Sequence, residues 1–474
     1  MEYPGVKDSV VVCETSQGLE LRGSLVRLGR HQVIFEVYNP ISVLQTSEVL
    51  AQFRIFFKDR TAYSGKAVIN NLIHTGLIVL CEVTLEEGWQ DVEFISSPDQ
   101  LPRLREQFDG HIRNWQKFYR VLPEYKVHIA DMHSFFTELR QWLDQVELGI
   151  RAAPSGDRLE LEQQTAFALA SSILPCIDHL FQKFESIAAA IEPETRSLHA
   201  NYMRRQLHPL VLAAPFAYRT FVKPLGYAGD YEMVNMILRN GCEGSSLFAK
   251  VIHRWFVQQA PAEAHRNRID LLTQRLVEET LRGQREGHRA RVFCLACGPA
   301  MELQRFLREK DISDRAELTL LDFNEETLQH TNGLLSDLKA RHQRVTPVHL
   351  IKKSVYNILK ESGKSVERAP EAQFDFVYCA GLFDYLPDQV CQRLMGICYQ
   401  WLAPGGLLLS TNVEPSNPQR HGMEHLLDWH LIYRTGPQCQ TLRPSSCLPD
   451  HYSVKADITG VNLFMEARKP KNGP

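Results

Sequence analysis

The chain has 474 residues, 44% of them hydrophobic and 23% charged, a globular composition that excludes wholesale disorder. Lys and Arg total 53 against 56 Asp and Glu, a net charge of −3, which excludes an affinity built on neutralising many phosphates, so no nucleic-acid partner is expected. The longest uncharged, mostly apolar stretch, Thr165 to Ile177, falls far short of the ~20 residues of a membrane span.

At about 150 residues per domain the length predicts roughly three domains. The start, MEYPGVKDSV, lacks the basic end and apolar core of a signal peptide, and a cytoplasmic protein is expected. The 11 cysteines are too scattered for a disulfide framework; they read as small buried hydrophobes.

Residues 1–98 read as short strands, among them Gln32–Val37, Ala51–Phe57, Lys66–Asn70 and Leu77–Val83, rich in β-branched and aromatic residues and punctuated by turn formers. This block is expected to be a small barrel or sandwich closed by Ser97-Pro98-Asp99. From Leu101 the period becomes helical. Met132, Phe135, Phe136, Leu139, Trp142, Leu143 and Val146 keep one face, and Pro154-Ser155-Gly156 interrupts. A second helix carries Ile173 to Ile191 with a kink at Pro175. Residues 99–215 are thus a predicted helical bundle and, with the barrel, a candidate homodimer surface. Residues 216–290 form a predicted helical lid or substrate region. In it Tyr218 to Met233 bring aromatics, Arg219, Lys223, Gly226, Gly229 and Asp230 into one loop that suits a lid over a pocket.

From 291 to 470 strand-like runs alternate with helical patterns: Arg291–Ala296, Glu317–Leu321, Val348–Ile351, Phe374–Cys379 and Leu407–Asn412. A terminal hairpin of Tyr452–Asp457 and Val461–Ala467 follows. The fold class is therefore α/β, a Rossmann-like doubly wound sheet with a helical middle region and a small N-terminal β-barrel. Ligands of such sheets bind beyond the carboxyl ends of the strands.

The first strand runs into Cys297-Gly298-Pro299-Ala300. Gly298 allows a tight turn, and Pro299 suits the first position of a helix. One glycine is a poor phosphate cradle, so a cofactor without phosphates fits better. Asp322 ends the second strand, placed to accept both hydroxyls of a ribose, with Phe323 beside it and Asn324 capping the next helix. Ser354 and Val355 after the third strand could flank an adenine. Ala380-Gly381-Leu382-Phe383-Asp384-Tyr385 end the fourth, and Pro404-Gly405-Gly406 precede the fifth. Cys294 and Cys297 have C-x-x-C spacing, but both belong to strand one and its turn. Downstream, a helix over Met423–Thr435 would put Leu426, Trp429 and Tyr433 on one face. His421 and His425 lack a third ligand, and no metal is expected.

This ordered set resembles the class I S-adenosylmethionine-dependent methyltransferases over about Phe216 to Lys469. It departs from them at Pro299-Ala300, where Gly-x-Gly is usual, and at Ser354, where Asp is common. The resemblance implies S-adenosylmethionine as cofactor, held by Cys297, Gly298, Pro299, Ala300, Asp322, Phe323, Asn324, Ser354, Val355, Ala380, Gly381 and Leu382. The Gly-Tyr-Ala-Gly-Asp-Tyr loop and the Asp428-Trp429-x-Leu431-x-Tyr433-Arg434 run look like the branch with PhcB-type enzymes, which make hydroxy fatty acid methyl esters as quorum-sensing signals. That implies methyl transfer to a fatty acid carboxylate. Arg219 or Arg434 would hold the carboxylate and Tyr227, Tyr385 or Tyr433 orient it, with Gly229, Asp230, Asn412 and Trp429 also at the substrate. Another small oxygen or nitrogen acceptor, or a non-catalytic signalling module on a retained scaffold, are the alternatives. The N-terminal block resembles a degenerate PilZ barrel. Arg22, Arg27 and Arg30 are present, but without the Asp-x-Ser element cyclic di-GMP is not expected.

Overall fold

The computed structural model describes residues 9–29, 31–38, 44–57, 60–74, 78–87, 101–118, 121–154, 156–362 and 373–471. Arg30, Ser155, Thr75, Gly76 and the Ser97-Pro98-Asp99 cluster lie outside the described residues. Among those described, no helix is long and apolar enough to cross a membrane.

Six strands, β1 (Ser9–Glu14), β2 (Glu20–Leu28), β3 (Gln32–Tyr38), β4 (Val49–Phe57), β5 (Arg60–His74) and β6 (Ile78–Leu85), close into a barrel in the order β1-β2-β3-β6-β5-β4. Alternation along each strand turns Val11, Val33, Phe35, Phe53, Ile55 and Val83 inward, where all are fully buried. Arg22 stays outside and pairs with Glu20 at 3.1 Å.

The helical region comprises α1 (Leu101–Phe118), α2 (Pro123–Arg151), α3 (Arg158–Ala189), α4 (Arg196–Val211), α5 (Pro215–Val222), α6 (Tyr231–Arg239), α7 (Leu247–Gln258) and α8 (Ala260–Arg285). One core runs through it, with Tyr125, Phe136, Phe184, Met203 and Trp255 at its centre. The stretch expected to be a loop from Tyr218 to Met233 is shorter: Tyr218–Val222 complete α5, and Asp230 caps α6 by accepting the Met233 N–H at 2.9 Å.

The last part runs β7 (Ala290–Leu295), α9 (Met301–Glu309), β8 (Ala316–Asp322), α10 (Glu325–Arg341), β9 (Val348–Lys352), α11 (Val355–Ser362), β10 (Phe374–Cys379), α12 (Asp388–Gln400), β11 (Leu402–Val413), α13 (Arg420–Leu426), α14 (Gly436–Gln440), β12 (Tyr452–Ala456) and β13 (Asn462–Arg468). They build a Rossmann-like sheet in the order β12-β13-β11-β10-β7-β8-β9. β7 to β11 are parallel, and β13 alone runs antiparallel to its neighbours. The chain winds from β7 outward to β9, then returns to β10 on the other side of β7. That reversal opens a crevice at the carboxyl ends of β7 and β10.

Two sequence expectations are corrected. α9 starts at Met301 behind a left-handed Ala300, so Pro299 sits in the turn and not at the first helical position. The helix expected over Met423–Thr435 ends at Leu426. Asp428 adopts φ 52°, its carboxylate is taken by Arg204 at 2.8 Å and His430 at 3.1 Å, and residues 428–435 have no regular secondary structure.

The barrel docks on this half through one polar strap, residues 44–49. Thr46 N–H donates to Tyr385 O (3.2 Å) and Val49 N–H to Gly226 O (2.8 Å). Ser47 Oγ donates to His430 O at 2.8 Å and accepts the His430 N–H. Glu48, 1% exposed, organises the strap by accepting from Ser16 N–H (2.9 Å), Ser16 Oγ (2.7 Å) and Gln45 N–H (3.0 Å). Ser47→Ala removes both hydrogen bonds to His430, about 1–3 kcal/mol of docking. Amide hydrogen exchange in residues 44–49 and 429–431 is expected to accelerate, while the barrel interior at Val33–Val37 keeps its protection.

Candidate functional site

A cavity of about 150 Å³ fills the crevice between β7 and β10. Its floor is the turn after β7, where Ala296 (φ 56°), Gly298 (φ 51°) and Ala300 (φ 49°) alternate into the left-handed region. Nothing lies within 4 Å of where a Cβ on Gly298 would sit, so the turn faces open space. The turn is tied down by Cys297 N–H to Leu321 O (3.1 Å), Thr331 Oγ to Gly298 O (2.7 Å) and Gln304 Nε2 to Pro299 O (2.7 Å). Cys294 and Cys297 are buried free thiols of β7 and this turn, with pKa values pushed up chiefly by burial.

Asp322 closes one side. Its Oδ2 accepts the Gly298 N–H (3.1 Å) and its Oδ1 the Asn324 N–H (3.0 Å), with the Phe323 N–H a further donor, which leaves the carboxylate some acceptor capacity. Burial raises its pKa, opposed by those backbone donors. Cys297, Pro299, Ala300 and Asp322 border the cavity, as do Phe323, Val355, Ala380, Gly381 and Leu382. Asn324 and Ser354 do not. Asn324 caps α10 by accepting Thr327 N–H at 2.9 Å, and Ser354 Oγ accepts Asn357 N–H at 3.3 Å.

Tyr227, its ring centroid 5.3 Å from that of Phe323, also lines the cavity, as do Gly229, Tyr385 and Trp429. Trp429 Nε1 donates to Tyr385 Oη at 3.0 Å, so Tyr385 keeps its own O–H for another acceptor. Burial pushes the phenols of Tyr227 and Tyr385 up, and both stay protonated at neutral pH. The remaining expected substrate residues are spent elsewhere. Arg219 grips Asp230 with two 2.8 Å contacts. Arg434, buried, bonds Asp388, Phe383 O, Leu386 O and Asn412 Oδ1, and Asn412 serves to hold it. Tyr433 packs under Arg420, whose guanidinium lies 4.6 Å from the ring centroid, away from the cavity.

Several lining residues escaped the sequence reading: Arg268 and His265 of α8, Asp384, and Gln17 and Gln45 of the barrel. His265 Nδ1 bonds Pro261 O at 2.9 Å, and burial beside Arg268 lowers its pKa to about 3, so the imidazole is neutral. Burial pushes Asp384 up to about 6, and its carboxylate accepts Val413 N–H at 2.7 Å. A signal existed for Arg268: it interrupts the apolar stripe of Ala264, Leu272 and Leu276.

A second, smaller cavity of about 40 Å³ shares Pro261, His265, Met423 and Trp429 with the first. Its other walls are mainly apolar, with Phe181, Phe216, Ile237, Trp255, Phe256 and Leu427. His425 is not poised for a metal, since its Nδ1 contacts Tyr125 Oη at 3.0 Å in the helical core. Among the described residues one group, Glu286, His288 and Asp375, clusters at ligand distance, but Arg282 pairs with both carboxylates at 2.8–3.0 Å.

No family model and no curated protein matches the chain. Solved structures do resemble it. A possible exported protein from Bordetella parapertussis is 17% identical, covering 64% of this chain and 97% of its own at a TM-score of 0.40. The N-methyltransferase NodS from Bradyrhizobium japonicum WM9, in complex with S-adenosyl-L-homocysteine, is 14% identical over 51% of this chain and 98% of its own, TM-score 0.30. Magnesium protoporphyrin IX methyltransferase (ChlM) from Synechocystis PCC 6803, with bound SAM, is 11% identical over 50% and 90%, TM-score 0.31. Likeness at that level assigns no activity, and the functional reading rests on the residues of the site.

Gly229 (φ 78°) tests the wall. A Cβ there would meet Tyr385 Oη at 2.8 Å. Gly229→Ala is expected to break the Tyr385–Trp429 hydrogen bond and cost about 1–3 kcal/mol, read as a change in tryptophan fluorescence and a lower melting temperature.

Proposed function

We propose that the chain is an S-adenosylmethionine-dependent methyltransferase whose cofactor binds in the crevice between β7 and β10. The observation that carries this reading is Asp322, a buried carboxylate that borders the cavity beside the open Gly298 turn with acceptor capacity beyond its backbone donors. Two adjacent ribose hydroxyls suit its two oxygens. The residues fit the cofactor in other ways. The space above Gly298 admits a ligand against bare backbone, and a turn with a single glycine need cradle no phosphate. Phe323, Val355 and Leu382 offer apolar flanks for an adenine.

When bound, the cofactor supplies a methyl group activated on a sulfonium. The chain's own part is to align an acceptor and keep water out. Tyr385 offers its O–H to the acceptor, the Trp429 indole fixes that phenol, and Gln17 and Gln45 of the barrel add to the wall.

The finer form of the reading is methylation of a fatty acid carboxylate, a 3-hydroxy acid included, to a methyl ester. The apolar annex lined by Phe181, Trp255, Phe256 and Trp429 supports it, because it adjoins the main cavity through shared lining residues and suits an alkyl group. The chemistry is compatible with it, since a carboxylate is already ionised at pH 7 and needs no general base.

Calorimetric titration with S-adenosylmethionine tests the cofactor half. Wild type is expected to bind, and Asp322→Ala, which forfeits charge-assisted bonds to both hydroxyls, to lose on the order of 100-fold in affinity. No binding to wild type overturns the reading. Incubation with methyl-labelled cofactor and long-chain 3-hydroxy and unsubstituted acids tests the acceptor half. Cofactor binding with no labelled ester at any chain length overturns the fatty acid assignment alone.

A further inference from the structure

Most cations in and around the cavity are taken. Lys353 pairs with Glu361, Arg219 with Asp230, Arg204 with Asp428, and Arg434 with four oxygens. Arg268 is different. It lies 7% exposed on the apolar face of α8 and borders the cavity. Its guanidinium rests against Gly381 just beyond β10, with Nη1 2.9 Å from where a Cβ on that glycine would sit. Among the described residues it makes no hydrogen bond and no ion pair, and its Nε is buried without a partner. The nearby carboxylates are engaged elsewhere: Asp384 accepts from Val413 N–H, and Glu302 accepts the Tyr378 O–H at 2.7 Å. They act on Arg268 only through space. A guanidinium does not deprotonate in a protein, and burying one without a hydrogen-bonding counter-ion costs several kcal/mol, on the order of the penalty for an isolated ion. A planar fork of donors facing a cavity is matched by a planar, bidentate anion.

We propose that Arg268 is the carboxylate-binding residue of this cavity. The inference rests on the methyltransferase reading only for the source of that carboxylate, since the amino-acid end of the cofactor and the head group of a fatty acid both carry one. A Cβ at Gly381, where a φ of 92° also favours glycine, would crowd the guanidinium, and Arg268 takes the role expected of Arg219 or Arg434.

The test uses the full chain as wild type, Arg268→Gln and Arg268→Lys. In thermal melts, hexanoate is expected to stabilise wild type more than the isosteric hexanamide, with the difference lost in Arg268→Gln. S-adenosylhomocysteine and decarboxylated S-adenosylmethionine are then titrated, and KM is measured for hexadecanoate. If the cofactor is the source, Arg268→Gln weakens S-adenosylhomocysteine about tenfold or more and leaves the decarboxylated compound unchanged. If the acceptor is the source, both nucleosides bind as before and KM rises about tenfold. Should the glutamine variant not fold, the lysine variant, which keeps the charge without the fork, is read the same way. Equal stabilisation of wild type by hexanoate and hexanamide overturns the proposal. So does a variant whose nucleoside affinities and KM all stay within about twofold of wild type, less than a typical net hydrogen bond. Wild type that binds neither nucleoside overturns the methyltransferase reading, and the hexanoate comparison still decides Arg268.

Discussion

The wall of the cavity depends on one buried cation, Arg434. Its guanidinium collects Phe383 O and Leu386 O from the turn after β10, Asn412 Oδ1 from the end of β11, and the Asp388 carboxylate at the start of α12. Its own backbone N–H meets Val413 O at 3.1 Å, and nearby Ile432 N–H meets Asp384 O at 2.6 Å. Meeting these donors offsets the cost of burying the guanidinium and ties the three segments to one another and to the segment that carries Arg434. Tyr385 and Asp384 belong to the first and Trp429 leads into the Arg434 segment, which is why their positions at the cavity are defined without any of them lying in a long helix or strand.

The barrel is joined differently. Its strap is held by a handful of hydrogen bonds, most of them to backbone, and by the buried Glu48, whose pKa burial raises. Such a joint is polar and narrow compared with the continuous apolar core that unites α2 to α7 with α13. Yet Gln17 and Gln45 border the cavity, so this seam is also part of its wall.

Much of this was legible in the chain. Runs of β-branched, aromatic and other apolar residues marked β3, β4, β7 and β10 to within a residue or two, because buried strands carry their pattern locally. Asp322 and Gly298 were legible for the same reason, each tied to the end of a readable strand. The failures have another origin. Trp429 and Tyr433 stand four apart, a helical spacing, but the helix stops at Leu426, before the left-handed Asp428 and its ion pair with Arg204. Arg219 and Arg434 looked available because a sequence does not show that Asp230 and Asp388 are folded against them. The share of Gln17 and Gln45 in the site comes from a contact across more than 200 residues, which leaves no trace in local pattern.

The departure at Pro299-Ala300 has a physical reading of its own. Glycine is favoured in such turns because left-handed backbone costs other residues about 1–2 kcal/mol each, and here Ala296 and Ala300 both adopt it. The strain is local and the restraints are not. Asp322 holds the Gly298 N–H, Thr331 holds the Gly298 carbonyl, and Gln304 reaches back to the Pro299 carbonyl. With these the turn is fixed before any ligand arrives, and the only position that must stay bare is Gly298, whose missing side chain opens directly onto the cavity. A second glycine would add freedom where the hydrogen bonds have already removed the need for it.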